Sequence, residues 1–211
     1  MCNICFCKRL SAFLLFFAVT MTYCPCAQSQ GNARDGFLPV PGYDNLEIAE
    51  YPVTVGDYTK FACAFVDADR FCTNIIDERL PVVHVTFKEA EAYCEWLSRR
   101  DSFYAYRLPT NDEWERAAGA MPEFALTNCA TMAGLRSVAT YAETRSAAGC
   151  IDMWGNAWEM TRTPDGTSIR IKGGAFDSTL TECRTSNHMG RADPGRYYDN
   201  VGFRLVREKK K

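Results

Sequence analysis

The chain has 211 residues and 23.8 kDa, with 47% hydrophobic, 24% charged and 13% aromatic residues, which suits one globular domain behind a targeting segment. Lys and Arg number 24 against 26 Asp and Glu, which excludes a basic nucleic-acid-binding protein and any partner captured by long-range charge. The two histidines, His84 and His188, are too few and too far apart for a His-rich zinc site or a histidine relay.

Lys8 and Arg9 precede a twelve-residue, mostly apolar run from Leu10 to Met21. A membrane-spanning helix needs about 20 apolar residues, so residues 1–26 read as a signal peptide. Cys24 follows where a bacterial lipoprotein carries its lipidated cysteine, although Tyr23 is not the small residue such a site prefers. Cys26, or ordinary cleavage near Ala27, are the alternatives. The protein is therefore expected to be exported and held at the outer membrane or cell surface by a lipid on Cys24. Residues 27–43 read as a tether, polar and unpatterned over 27–36. Without Lys8 and Arg9 the balance is 22 basic against 26 acidic residues. Six cysteines remain in the body: Cys63, Cys72, Cys94, Cys129, Cys150 and Cys183. They allow fifteen pairings. A body of about 180 residues can bury a core without staples, so at most one or two bridges are expected.

Leu46 and Ile48 alternate with polar or small neighbours, a short strand. Thr54, with Asp57 three residues on, opens a helix whose Tyr58, Phe61, Ala62 and Phe65 form an apolar stripe. Thr86 and Glu89 make the capping-box pattern of a second helix, with Phe87, Ala90, Cys94 and Leu97 inward. Thr110 and Glu113 open a third, which Gly119 stops. Ile169 and Ile171 alternate in a strand that Gly173-Gly174 ends. Phe203 and Leu205 alternate in a last strand before the charged tail, 208–211.

Between those strands, Phe176 to Asn200 is 25 residues with no sustained period. Structureless loops beyond about 12–15 residues are uncommon in compact domains and are usually functional or disordered. Phe176, Tyr197 and Tyr198 argue against disorder, and the mixture of Tyr, Ser, Asn, Asp, Thr, Gly and Arg is the chemistry of an adaptable recognition surface. The candidate binding residues are Phe176, Asp177, Ser178, Thr179, Leu180, His188, Met189, Arg191, Tyr197, Tyr198, Asp199 and Asn200. Cys183, Arg184 and Asn187 interrupt that set and are expected to anchor the loop inward.

Three blocks carry a family resemblance: Pro81-Val-Val-His-Val-Thr-Phe87 with Trp96-Leu97; Tyr106-Arg-Leu-Pro-Thr110 with Glu113-Trp114-Glu115; and Asp152-Met-Trp-Gly-Asn156 with Trp158-Glu159, Gly173-Gly174, Cys183-Arg184 and Gly202-Phe-Arg204. Together and in this order they resemble the formylglycine-generating-enzyme (sulfatase-modifying factor) family. The resemblance spans about residues 44–207 and implies a single α+β domain with a C-type-lectin-like fold. Trp114 and Trp158 read as core residues.

The family's oxidase uses two cysteines five residues apart after the Gly-Gly pair. Here those positions hold Ser178 and Cys183. A serine hydroxyl is neither a soft ligand for copper(I) nor half of a redox pair, so no copper and no inherited oxidase activity are expected. The resemblance also implies a calcium site, with Asp152 and Glu159 giving side-chain oxygens and Gly155 and Ala157 giving carbonyls. A domain without the cysteine pair is similar to another branch, the variable proteins of diversity-generating retroelements. Their C-terminal segment runs from Gly-Gly through scattered variable positions and Cys-Arg to Gly-Phe-Arg, as about 175–201 does here within its flanks.

The expectation is thus a non-enzymatic surface protein that binds an unknown protein or other surface ligand through a diversified C-terminal segment. An enzyme of the same family with altered chemistry, and a fixed-sequence periplasmic accessory lipoprotein, are the rivals.

Overall fold

The computed structural model describes residues 35–71, 77–163, 165, 168–189 and 193–211. The signal segment with Cys24, most of the tether, and Arg191 lie outside the described residues. Three threonines open the longer helices, each through a reciprocal capping box. Thr54 and Asp57 start α1 (Val55–Phe65), which a short α2 (Ala68–Phe71) follows. Thr86 and Glu89 start α3 (Phe87–Arg100), and Thr110 and Glu113 start α4 (Asn111–Ala118). Each box satisfies backbone N–H groups that a helix start leaves unpaired. The inward stripes hold with two differences. Phe65, in the last turn of α1, is exposed and stacks on Phe61, and Tyr93 joins Phe87, Ala90 and Cys94 on the buried face of α3.

The strands are β1 (Phe37–Pro39), β2 (Leu46–Ala49), β3 (Tyr104–Arg107), β4 (Trp158–Arg162), β5 (Ile169–Lys172), β6 (Val201–Phe203) and β7 (Val206–Lys209). One antiparallel sheet runs β1-β2-β7-β3. The other runs β5-β4-β6, with β4 antiparallel to β5 and parallel to β6. This is the expected α+β class.

Two boundaries need correction. The folded domain begins by Asp35 rather than at 44. Within the supposed tether, β1 pairs with β2, Leu38 and Val40 are buried, and Asp35 pairs with Arg207, which also holds Glu47 of β2. Three residues of strand are too short to show a period. At the other end, β6 and β7 are separate strands in different sheets, and Glu208 and Lys209 belong to β7 rather than to a free tail. β4 gave no alternating signal because four of its five residues are buried, on both faces.

Two apolar clusters fill the interior. The first joins α1 and α3 to the β4 sheet through Tyr58, Phe61, Tyr93, Trp158, Met160 and Phe203. The second packs Trp114 and Trp154 against Leu38, Ile48 and Val206. Both tryptophans read as core, Trp114 and Trp158, are buried. Cys63 is disulfide-bonded, whereas Cys94, Cys129, Cys150 and Cys183 are buried thiols, so its partner is none of these four.

Candidate functional site

The turn from Ile151 to Ala157 and strand β4 build the floor of the site around one buried cation. Arg204 is wholly buried and lies in a complete cage. Its guanidinium donates to Glu159 at 2.7 Å and to the carbonyls of Ala49, Glu50 and Ile151. Glu159, 1% exposed, also accepts from Trp114 Nε1 at 2.7 Å. A charge taken out of water is tolerated only when paired and hydrogen-bonded, and both partners here are.

This arrangement bears on the calcium expectation. Both oxygens of Glu159 are held by Arg204 and Trp114. Asp152 accepts from Asn156 Nδ2 at 3.3 Å, and burial pushes its carboxyl up to about 6. Gly155 has φ +95°, and a Cβ there would sit 2.6 Å from the Asn128 carbonyl, so its place is fixed by close backbone approach. Ala157 is buried. As placed, the four residues do not fit a calcium ion, because a guanidinium already holds the carboxylate that the ion would need. Among the described residues no three His, Cys, Asp or Glu side chains converge as a metal set.

Above this floor, the chain between β5 and β6 is fastened at intervals. Ser178 Oγ accepts from the Ala175 N–H, and the Ser178 carbonyl accepts from Ala130 at 2.8 Å. Thr179 caps a single turn, exchanging hydrogen bonds with Glu182, and Cys183 N–H closes that turn on the Thr179 carbonyl. Met189 N–H donates to the Ile171 carbonyl at the edge of β5. Trp158 N–H donates to Asn200, and Asn200 Nδ2 donates to both oxygens of Asp177.

The expected binding residues divide by where these fastenings turn them. Asp177, Ser178, His188, Met189 and Asn200 line a cavity of about 320 Å³, together with Trp158, Glu182 and Asn187. Tyr197 is 48% exposed and Asp199 is exposed. Both sit beside His84, whose ring lies 5.8 Å from that of Tyr197 and whose Nδ1 is 3.6 Å from Asp199. Leu180 is exposed at a separate recess lined by Met121, Pro122, Arg184 and Thr185, so the set is not one continuous face. Thr179 is exposed but bonded to Glu182.

Three side chains differ from expectation. Ser178 is 5% exposed, because its hydroxyl serves the turn at Ala175, and it reaches only the cavity floor. Phe176 and Tyr198 are half-buried against the first core cluster. Of the three expected anchors, Cys183 is buried and Asn187 donates to the Thr181 carbonyl, but Arg184 is exposed.

Sequence reasoning missed His84, Glu182 and the cavity-facing role of Trp158. His84 has φ +60°, a left-handed conformation uncommon outside glycine, and its N–H donates to the Tyr198 carbonyl. A lone polar residue inside the apolar run Val82 to Val85 was the available signal.

Known proteins with similar features agree with this architecture. The chain is 30% identical over 160 residues to the mouse (Mus musculus) protein named inactive C-alpha-formylglycine-generating enzyme 2, covering 60% of this chain and 49% of that one. It is 37% identical over 100 residues to the hercynine oxygenase of Mycolicibacterium smegmatis, covering 40% of this chain and 22% of that enzyme. The chain thus spans about half the length, or less, of the curated relatives it matches. Its fold resembles Treponema denticola variable protein 1 (TM-score 0.62, 18% identity, 76% of this chain and 84% of that one) and PvdO of Pseudomonas aeruginosa (0.63, 21%, 77% and 80%). The sulfatase-modifying factor enzyme 1-like domain matches residues 42–209, and the chain belongs to that family, with the C-type-lectin-type fold of formylglycine-generating enzymes.

Proposed function

We propose that this protein is a non-enzymatic, exported ligand-binding protein, anchored by a lipid on Cys24, whose C-terminal segment 175–201 is a sequence-diversified recognition surface. The observation that carries the reading is at Ser178. The position that would hold the oxidase's first cysteine has a buried hydroxyl bonded to the Ala175 N–H, and Cys183 Sγ turns to Cys129 instead of lining the cavity. The cavity therefore offers carboxylates, amides, a histidine and an indole, which suit recognition, and no thiol pair. Tyr197 and Asp199 form a second exposed group with His84, and strands of one sheet, β5 and β6, hold the two ends of the segment so that its outer side chains can vary without unfolding the domain. A fold shared with a Treponema variable protein and similarity to a relative named as inactive support the reading.

Two measurements test it. Sequencing around the gene is expected to find a reverse transcriptase and a near-repeat of codons 175–201 that differs at adenines. The purified protein, given copper(I) and a sulfatase peptide, is expected to leave the peptide cysteine unchanged. Turnover of that peptide, or a locus without the repeat, would overturn the diversified, non-catalytic reading.

A further inference from the structure

We propose that Cys129 and Cys183 are joined by a disulfide in the mature protein, a covalent link that ties the fixed inner part of the 175–189 segment to the loop at 128–134. Their sulfurs lie 2.9 Å apart, although 54 residues separate them in sequence. A disulfide bond is 2.03–2.05 Å long, so an approach of about 0.9 Å closes it.

The backbone around the pair is already docked on both sides. Ala130 N–H donates to the Ser178 carbonyl, Thr131 N–H donates to the Phe176 carbonyl, and Cys129 Sγ lies 3.3 Å from the Ser178 carbonyl. Gly174, at φ +77°, leaves the room the second sulfur needs, since a Cβ there would collide with Cys183 Sγ. Neither sulfur lines the cavity or the recess at Leu180, so the pair has no contact to offer a ligand there.

The reaction balances with a small disulfide as oxidant. The two thiols give up two protons and two electrons, the Sγ–Sγ bond forms, and the oxidant's S–S bond breaks into two thiols. Cys183 is fully buried and Cys129 nearly so, and burial pushes the Cys183 thiol up, which slows attack from the folded state. Closure therefore belongs to folding in an oxidising compartment, and the packed site then shields the bond from reductants. The link would hold Ser178 and the Thr179 turn in place while the exposed residues around them change.

The test is a non-reducing peptide map of the full chain after refolding with glutathione disulfide. The expected product is a Cys129–Cys183 linked peptide, two hydrogens lighter than the paired thiol peptides. The melting temperature should rise by roughly 5–10 °C over the reduced form. The bridge at Cys63 is an internal control. If it forms in the same sample while Cys129 and Cys183 both remain alkylatable after unfolding, the proposal is overturned. Cys129→Ser alone should lower the melting temperature as much as Cys129→Ser with Cys183→Ser, and additive losses would also overturn it. If a variant fails to fold, the wild-type map still decides. This inference uses export only for the oxidant, and absence of codon diversification would leave the map unchanged.

Discussion

The β5-β4-β6 sheet and the segment that joins β5 to β6 adjoin in sequence and use polar groups in opposite ways. At the sheet, Glu159 of β4, Arg204 just past β6 and Trp114 Nε1 of α4 spend their hydrogen bonds on one another and on backbone carbonyls, leaving almost nothing to solvent. In the segment, Asp177 and Asn200 bond each other at the rim, while Tyr197, Asp199 and His188 remain exposed. The sheet therefore tolerates little change, and the outer segment tolerates much. Within the segment the same division recurs on a smaller scale: Ser178, Cys183 and the inner faces of Phe176 and Tyr198 belong with the frame.

Breaking the frame should have the largest effect. Glu159→Gln leaves Arg204 buried without a counter-charge, and removing one partner of a buried pair costs about 3–5 kcal/mol. Urea denaturation should show that loss, and a change under 1 kcal/mol would mean that the pair is not the keystone of the sheet.

Tyr198→Ala tests the boundary between the regions. Its ring is half-buried against the core, so the substitution should cost about 1–2 kcal/mol, whereas Tyr197→Ala with Asp199→Ala should stay within about 0.5 kcal/mol. If all these variants melt alike, frame and surface do not divide where the structure puts the line.

Asp152 adds a pH signature to the frame. Burial raises its carboxyl to about 6 in the folded protein. The folded state therefore binds this proton more tightly than the unfolded chain. That contribution is full below about 4, the ordinary carboxylate range, and is lost as pH rises through about 6. Lowering the pH from 7 to 5 should raise the stability of the wild type relative to Asp152→Asn, and parallel pH profiles for the two would refute it.

The smallest expected effect is that of calcium. With Glu159 held by Arg204, neither calcium nor a chelator should move the melting temperature. A rise with calcium would show that the ion displaces the guanidinium and that frame and metal site are one.

Much of this was legible in the chain itself. The three Thr-x-x-Asp/Glu boxes located the helix starts, because capping depends on residues three apart. The long aperiodic stretch after Gly173-Gly174 marked the irregular segment, and Ser178 marked a departure from the oxidase pattern, since both are properties of order along the chain. Strands β1, β3 and β4 were not legible, being too short or buried on both faces to show a period. Nor were the partners of Glu159, which reads equally well as a metal ligand until Arg204, 45 residues away, is folded against it. The meeting of Cys129 with Cys183 and of His84 with Tyr197 likewise required the fold, because contacts between residues so distant in sequence are decided by how sheets and loops pack and leave no local pattern to read.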